Sequence, residues 1–386
     1  MVPGLAIGDP PELSRPRVHP IDVPPGHEPP VRLRLVRVQV PLVRAHRSAH
    51  GAELVRDVVL VEWTRHDGVI GWGECPTLST SGYVTGTTEQ AWQALVETLA
   101  PAALTGGSPI VAGAMAAVGA LSDARLDAAL RARGTSLGEH VGATRAALPR
   151  CAVLADVGGD LDVLGERACS EVRGGARMLK VKIEPGFDLE PLRAVRAVVG
   201  DVPIAADANG SYSEPEQLGD VDAAGLVYLE QPFAAGVPWA DLAELHGRLR
   251  TPVALDESLT SPDAVRSALA AGAVGVVSVK PARLGGVMAA AAVVRLAASA
   301  GRAAFVGGML ELGVGRAGAA AVAAMPGCSL PTDLGPSDRY VEEDVCDPIV
   351  VDTNGDLVVP DGPGSGRRPV AVRLAAVTVD EVVLGR

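Results

Sequence analysis

Five charged residues follow one another through the middle of the chain at nearly constant intervals: Lys182, Asp207, Glu230, Asp256 and Lys280. The intervals between them are 25, 23, 26 and 24 residues. One strand, one helix and two loops take about that many residues, because an eight-unit barrel of such units has roughly 250 residues. Three carboxylates flanked by two lysines, one charge per unit, predict a divalent metal with an ammonium group on either side.

The three acids each stand where a hydrophobic strand is predicted to end. Asp207 follows Ile204-Ala205-Ala206, Glu230 follows Val227-Tyr228-Leu229, and Asp256 follows Val253-Ala254-Leu255. Carboxylates at neighbouring strand ends repel one another unless a cation joins them. Oxygen ligands without His or Cys favour Mg²⁺ over zinc, with Mn²⁺ as a possible substitute. A single acid at such a position is more often a helix cap or an ion-pair partner, so the prediction depends on all three together.

The lysines suggest how such a metal site would be used. Lys180 and Lys182 are two residues apart, so both project to one face of a strand. Crowding of two ammonium groups is expected to lower their pKa and to free one as a base. Lys280 comes four units later, about halfway round an eight-unit barrel. This arrangement suits removal of a proton next to a carboxylate, with an enediolate stabilised by the metal. The alternative is an exposed edge strand with solvated lysines.

Alternating strands and helices are predicted to position these residues, and repeated strand–helix units imply parallel strands. Seven such strands favour a closed barrel over an open doubly wound sheet. No Gly-x-Gly-x-x-Gly and no phosphate loop supports a nucleotide-binding open sheet. The predicted strands are Cys151–Ala155, Met178–Ile183, Ile204–Ala206, Leu226–Leu229, Val253–Leu255, Val276–Val279 and Ala303–Val306.

The rest of the chain divides into three further segments. Residues 1–30 are Pro-rich and are predicted to be a flexible extension. Residues 31–150 show three strands, with a turn at Gly68–Gly73, and then helical periodicity, which predicts a small α+β domain. The barrel is assigned to residues 151–346. Residues 347–386, with short strands and a Gly/Pro turn, are expected to pack back on the α+β domain.

Composition narrows the choice of partners and compartment. The net charge of −12 argues against nucleic acid. The Ala/Val-rich run from Ala289 to Ala300 is too short to span a bilayer. The five cysteines are widely spaced and odd in number, which favours free thiols. With no apparent signal sequence at the N-terminus, a cytoplasmic protein is expected. The sequence leaves the choice between monomer and homo-oligomer open.

Together these residues resemble the enolase superfamily, and within it the muconate lactonizing enzyme branch. The likeness extends over roughly residues 31–370 and is closest to o-succinylbenzoate synthases and N-acylamino acid racemases. It is carried by Lys-x-Lys, Asp-x-Asn, Glu-Gln-Pro, Asp-Glu-Ser and Lys-Pro in order and spacing, and by three longer strings. These are the segments at residues 182–186, 280–286 and 307–316. The Gly71-Trp72-Gly73-Glu74-Cys75 segment resembles the capping domain of the family.

The resemblance implies a (β/α)₇β barrel of the TIM type with an α+β capping domain, and roles for individual residues. Lys182 would be the base, Lys180 would help to neutralise a substrate carboxylate, and Lys280 would lie on the opposite face. Two cap loops, around Ala45–Ala52 and Leu78–Val84, would close over the substrate. The implied Mg²⁺ ligands are Asp207, Glu230 and Asp256, and the implied substrate-binding residues are Asn209, Arg283, Gly307, Gly308 and Met309.

The activity implied first is that of an o-succinylbenzoate synthase, a Mg²⁺-dependent dehydratase of menaquinone synthesis acting on a small carboxylate. An N-acylamino acid racemase or dipeptide epimerase would use the same two lysines, so the motifs leave both open. Muconate cycloisomerase is disfavoured by the Gly-Gly-Met string. A non-catalytic barrel used for binding is expected to have lost a ligand or a lysine, and this chain keeps all five residues.

Overall fold

A computed structural model describes residues 28–48, 51–79, 86–111, 113–155 and 159–386. Its strands are β1 (Arg32–Ser48), β2 (Gly51–Thr64), β3 (Ile70–Cys75), β4 (Ala147–Leu148), β5 (Cys151–Leu154), β6 (Met178–Lys182), β7 (Ile204–Asp207), β8 (Leu229–Glu230), β9 (Val253–Leu255), β10 (Val276–Val279), β11 (Ala303–Val306), β12 (Leu357–Val358) and β13 (Thr378–Gly385).

The α-helices are α1 (Thr88–Ala94), α2 (Ala100–Leu104), α3 (Met115–Arg133), α4 (Leu137–Val141), α5 (Leu161–Arg173), α6 (Leu189–Val199), α7 (Gly219–Asp222), α8 (Trp239–Arg248), α9 (Pro262–Ala271), α10 (Pro281–Leu284), α11 (Val287–Ser299), α12 (Gly313–Ala323) and α13 (Ala371–Val377). A π-helical turn, Leu95–Leu99, joins α1 to α2, and 3₁₀ turns lie at Pro215–Leu218 and Ser337–Arg339.

The seven strands β5 to β11 form one parallel sheet in chain order. They are the seven strands predicted from the sequence, each within a few residues of its expected bounds. Their side chains are almost all buried, as expected for a parallel sheet covered by helices. The predicted α/β class is confirmed.

A short segment, Leu330–Thr332, joins the two edges of this sheet. Leu330 N donates to Ala304 O of β11 at 3.3 Å. On the other side, Cys151 N of β5 donates to Thr332 O at 2.7 Å. Because the segment bonds to both edge strands, it takes the place of an eighth strand and closes the barrel. The carboxyl ends of all eight segments therefore surround one mouth.

A second, antiparallel sheet has the strand order β13-β1-β2-β3 and forms the cap with α1, α2 and α3. Its last strand comes from the C-terminus: β13 pairs with β1, with Leu33 opposite Leu384. The predicted capping domain, built from both ends of the chain, is confirmed as an architecture. The domain boundaries at residues 30, 150 and 346 stay predictions.

The Gly-Trp-Gly string lies within β3, whereas the sequence suggested a turn there. The turn is earlier: Arg65 N donates to Val69 O at 3.0 Å. The two glycines are required by the helix that covers the strand. A Cβ added to Gly71 would lie 2.1 Å from Ala128 N, and one on Gly73 would lie 1.9 Å from Ala120 O, both on α3. The backbones of helix and strand thus touch, which no larger residue permits.

Three other elements differ from expectation. The sequence predicts the first strand over Val31–Val40, and β1 extends eight residues further, to Ser48, because it pairs with β2 as a long hairpin. The sequence also predicts a helix over Ile110–Arg133, whereas α3 begins at Met115. The C-terminal segment contains a helix, α13, where only strands were expected.

In the described part of the chain, no helix combines the length and apolar character needed to cross a bilayer.

Candidate active site

The strand ends bring the predicted acids and the first lysine side by side. In the sheet register, Lys182 lies opposite Asp207, and Asp207 lies opposite Glu230. Asp256 follows β9 directly and Lys280 follows β10 directly. The five residues are therefore gathered at the carboxyl ends of five consecutive barrel strands. Strands β6 and β10 are four positions apart in a ring of eight, so Lys182 and Lys280 rise from opposite walls.

Lys180 lies inside the barrel with only 4% of its side chain exposed. Its Nζ donates to Glu230 Oε2 at 2.8 Å and to Asp333 Oδ2 at 2.7 Å, and it stands 5.3 Å from the centre of the Phe305 ring. Burial lowers its pKa, but the carboxylates of Asp333 and Glu230 outweigh this and raise the pKa well above its usual value. The expectation that crowding lowers the pKa of the pair is therefore wrong for Lys180, which stays charged.

Lys182 is partly exposed and has a different kind of partner. Its Nζ donates to Asn209 Oδ1 at 2.6 Å, and Asn209 Nδ2 donates to Glu257 Oε1 at 3.0 Å. Asn209 adopts φ 43°, in the left-handed region that Asn tolerates better than most residues. Among the described residues no carboxylate forms an ion pair with Lys182. Asn209, predicted to bind substrate, is seen here orienting Lys182.

Lys280 is 4% exposed, and its Nζ lies 3.3 Å from Asp256 Oδ2. The same ammonium donates to Gly308 O at 3.1 Å. A Cβ on Gly307 would lie 3.2 Å from Lys280 Cε and 3.3 Å from its Nζ. Gly307 was predicted to bind substrate, and that role stays a prediction. In the structure, the absence of a side chain at Gly307 makes room for Lys280.

Two of the other predicted substrate-binding residues are buried in the surrounding structure. Arg283 is 3% exposed in its side chain and forms an ion pair with Asp256 Oδ1, and its Nη1 also donates to Asp256 O at 2.8 Å. Met309 is buried, and its N donates to Glu311 Oε2 at 2.9 Å. Their roles toward a substrate stay predictions.

Whether the acids fit a divalent cation can be tested on their surroundings. Burial, together with the charges of Asp207 and Asp256, raises the pKa of Glu230 to about 8 despite the nearby Lys180 ammonium. Burial and the charges of Asp256 and Asp207 also raise the pKa of Glu257 to about 7. Glu257 Oε2 is buried and has no hydrogen-bond partner in the part of the chain described. This crowding of buried carboxylates, with an oxygen left unbonded, is what a hard cation relieves.

As the side chains stand, however, no three His, Cys, Asp or Glu residues within the described ranges lie close enough together to share an ion. Glu230 instead faces Lys180, and Asp256 faces Lys280 and Arg283. The strand positions and the oxygen-only donors fit Mg²⁺, and two carboxylates would have to turn toward it. That Asp207, Glu230 and Asp256 meet around one ion stays a prediction.

The sequence interpretation missed two polar residues of the mouth. Asp333 follows the eighth barrel segment and bridges Lys180 to the backbone, because its Oδ1 accepts a hydrogen bond from Gly308 N at 2.8 Å. An acid directly after a short strand is the signal that found Asp207, and it was present here too. Gln231, at φ 40°, accepts hydrogen bonds from Asp256 N at 3.0 Å and Ser258 N at 3.2 Å, which ties two strand ends together.

The two cap loops predicted to close over the substrate fall partly outside the description. Residues 49–50 and 80–85 are not among those described, so closure of these loops stays a prediction.

The chain contains just three lysines against 31 arginines. All three are Lys180, Lys182 and Lys280, at this mouth. Every other basic side chain, apart from the histidines, is an arginine. An amine can lose its proton near neutral pH when its surroundings favour this, whereas a guanidinium cannot. The distribution therefore indicates that this mouth requires amines.

Comparisons with known proteins agree with this site. An N-succinylamino acid racemase from Amycolatopsis sp is 37% identical over 92% of this chain and 98% of its own. An o-succinylbenzoate synthase from Geobacillus kaustophilus is 34% identical over 86% of this chain and 91% of its own. The solved muconate lactonizing enzyme from Pseudomonas fluorescens has the same fold, with a TM-score of 0.81 at 24% identity, covering 90% of this chain and 98% of that one.

The family model that matches residues 164–370 is described as enolase C-terminal domain-like, and it covers more than half of the chain. The resemblance noted from the motifs is thereby confirmed. By its barrel, its cap and its relatives, the chain belongs to the enolase superfamily, a superfamily of enzymes.

Proposed function

We propose that the protein removes the proton next to a carboxylate of a small substrate, and that its main activity is that of an o-succinylbenzoate synthase. The reaction is the dehydration of 2-succinyl-6-hydroxy-2,4-cyclohexadiene-1-carboxylate in menaquinone synthesis. The observation that carries the proposal is the confinement of the chain's three lysines to the barrel mouth, with one on the wall opposite the other two.

The partners of the lysines support a division of roles. Lys180 pairs with Glu230 and Asp333 and Lys280 pairs with Asp256, whereas the described partner of Lys182 is the neutral amide of Asn209. Loss of a proton from Lys182 separates no ion pair, which suits it to be the base. Lys182 takes the α-proton, and that proton then leaves with the hydroxide as water when the C–O bond breaks. Lys180 stays charged and can neutralise the substrate carboxylate.

Lys280 supports the substrate anion from the other wall. In a dehydration its ammonium acts by charge and exchanges no proton. Asp207, Glu230 and Asp256 would hold Mg²⁺, which when bound draws charge from the substrate carboxylate and lowers the barrier to its deprotonation. The oxygen-only donors of these three residues support that assignment, and so does the pKa of buried Glu230, which burial and the nearby Asp207 and Asp256 raise to about 8.

A second activity is favoured by the relative from Amycolatopsis sp, which is named as an N-succinylamino acid racemase. In a racemase, Lys182 and Lys280 would each exchange a proton with one face of the α-carbon. The two reactions need the same two amines, so the roles given above serve both. We place the synthase first because it requires exchange from one lysine alone.

The test offers both substrates to the purified protein with Mg²⁺. Dehydration of the cyclohexadiene substrate is followed by absorbance, and racemisation of N-succinylphenylglycine by optical rotation. We expect a larger kcat/KM for dehydration. Faster turnover of N-succinylphenylglycine would make the racemase the main activity, and turnover of neither substrate would sink both assignments. Exchange of the α-proton in D₂O then shows whether one lysine or both transfer protons.

A further inference from the structure

Arg56, on cap strand β2, is completely buried, with 0% of its side chain exposed. Its guanidinium has five N–H donors, and each of the five has an acceptor. Nε donates to Leu310 O at 2.9 Å; Nη1 to Thr77 O at 2.9 Å and Glu53 Oε2 at 3.2 Å; Nη2 to Pro76 O at 2.7 Å and Met309 O at 3.3 Å. Four of these acceptors are backbone carbonyls, two from the cap and two from the barrel.

Burying a guanidinium costs free energy, because the charge loses its hydration. The cost is offset only when the charge and all its donors are matched, and hydrophobic residues of similar size often stabilise a fold equally well. Here one described carboxylate, Glu53, balances the charge. The remaining donors fix the positions of peptide groups. The arrangement therefore specifies where two backbone segments lie relative to each other.

The barrel segment held by Arg56 is the glycine loop, residues 307–310. Leu310 has φ 57°, a left-handed conformation that costs energy for a branched apolar residue and persists only where the surroundings impose it. Side chains from four parts of the chain bind this loop. Gly308 N donates to Asp333, Gly308 O accepts from Lys280, Met309 N donates to Glu311, and Arg56 binds the last two carbonyls.

We propose that Arg56 is a positioning residue for Lys280, acting from the cap through the glycine loop. The carbonyl that receives the Lys280 ammonium belongs to Gly308, one residue before the first carbonyl that Arg56 holds. A turn of the 309 and 310 peptides redirects the Gly308 carbonyl, so the ammonium loses that acceptor and shifts relative to its ion-pair partner Asp256. The significance for catalysis rests on the proposed function of Lys280, whereas the effect on its position does not.

The first measurement needs no activity. Lysine labelled with ¹³C at Cε gives three signals from this chain, assigned by substituting each lysine in turn. In Arg56→Gln we expect the Lys280 signal to shift and the Lys182 signal to stay. Arg37→Gln is the matched control, because Arg37 lies on the neighbouring cap strand and binds Asp57 and Glu89 of the cap. An unmoved Lys280 signal, or equal movement of all three, overturns the proposal.

The second measurement follows exchange of the α-proton in D₂O for each enantiomer of N-succinylphenylglycine. Lys280→Ala identifies the enantiomer whose proton faces Lys280. For that enantiomer, we expect the α-proton to exchange about tenfold more slowly in Arg56→Gln than in the wild type, because small misplacements of a reacting group have large effects on rate. The other enantiomer is expected to stay within about threefold of wild type, as a selective effect requires. Equal loss for both contradicts selective positioning of Lys280.

The two measurements separate the two ways of failing. If the wild type exchanges neither enantiomer while the Lys280 signal shifts in Arg56→Gln, the racemase activity fails and the positioning stands; the dehydratase activity is decided separately by its own absorbance assay. If Arg56→Gln does not fold, Arg56→Lys takes its place. It keeps the charge, can reach at most three of the five acceptors, and adds one lysine signal that is recognised by its absence from the wild type. The same selective shift of Lys280 is expected, and its absence overturns the proposal.

Discussion

Gly307→Ala is expected to displace Lys280 without touching any other proposed catalytic group. The added Cβ would stand 3.2 Å from Lys280 Cε, 3.3 Å from its Nζ and 3.4 Å from Asp333 Oδ1. Carbon contacts relax to roughly 3.5–4.0 Å, so the lysine must give way by about 0.3 Å or more. The hydrogen bond from Lys280 to Gly308 O, now 3.1 Å, then stretches to the limit of useful geometry.

The size of the effect follows from the bond that is weakened. A hydrogen bond to a charged group contributes about 1.5–3 kcal/mol, and partial loss of it amounts to about 1.4 kcal/mol or tenfold in rate. We therefore expect proton exchange at the face served by Lys280 to fall about tenfold, with urea unfolding little changed. The assay is α-proton exchange in D₂O, with the ¹³C signal of Lys280 as an independent report of its position.

Gly308→Ala is the matched control in the adjacent residue. Its Cβ would meet Leu334 Cδ2 at 3.4 Å and Glu311 Oε2 at 3.6 Å, both ordinary contacts, and Lys280 is not among its near neighbours. The Lys280 signal should stay in place in this variant, even if an added methyl group raises KM. An unshifted Lys280 in Gly307→Ala, or a larger shift in Gly308→Ala, would show that the glycine at 307 does not serve the lysine.

Three further predictions concern the base, the metal and the cap. Lys182→Ala should abolish the reaction while Mg²⁺ binding and the fold persist; residual activity within about tenfold of wild type would exclude Lys182 as the base. Asp256→Asn should weaken Mg²⁺ affinity by more than about tenfold, and an unchanged affinity in calorimetric titration would remove it from the ligand set. Burial raises the pKa of Asp123 to about 7, partly offset by its hydrogen bond from Val287 N. The folded state thus keeps a proton that an unfolded Asp loses near 3.8, so the free energy of unfolding should fall as pH rises from about 4 to about 7. Asp123→Asn, which keeps the acceptor for Val287, should remove that part of the pH dependence, and an identical profile in urea unfolding would contradict it.

The barrel could be predicted from the sequence because its signal is local. Each strand is a short apolar run, and the helices repeat their apolar positions. The sequence predicts helices over Leu189–Val199 and Pro262–Ala270, and α6 and α9 match these bounds to within a residue. The charged residues at the strand ends were found by the same local rule. Asp333 also directly follows a barrel segment, but Leu330–Thr332 is three residues long and was not predicted as a strand, so the rule was not applied there.

The sequence could not show which residues form hydrogen bonds across long separations in the chain. Arg56 meets Leu310 across 254 residues, and Glu74 caps the start of α12 by accepting a hydrogen bond from Gly315 N at 2.7 Å. No periodicity links such partners. The Gly-Trp-Gly string was likewise taken for a turn, because a glycine needed for close packing and a glycine needed for a turn look the same in one sequence.

The three lysines lie in different environments, and their neighbours determine which role each ammonium group can have. Lys180 sits between two carboxylates and over an aromatic ring, in a space that suits a compact ammonium better than a planar guanidinium with five donors to satisfy. Lys280 shares one carboxylate with Arg283 and is aimed by a peptide carbonyl. Lys182 faces an amide. Of the three amines, Lys182 is therefore the one whose loss of a proton breaks no ion pair among the described residues, as the proposed base requires.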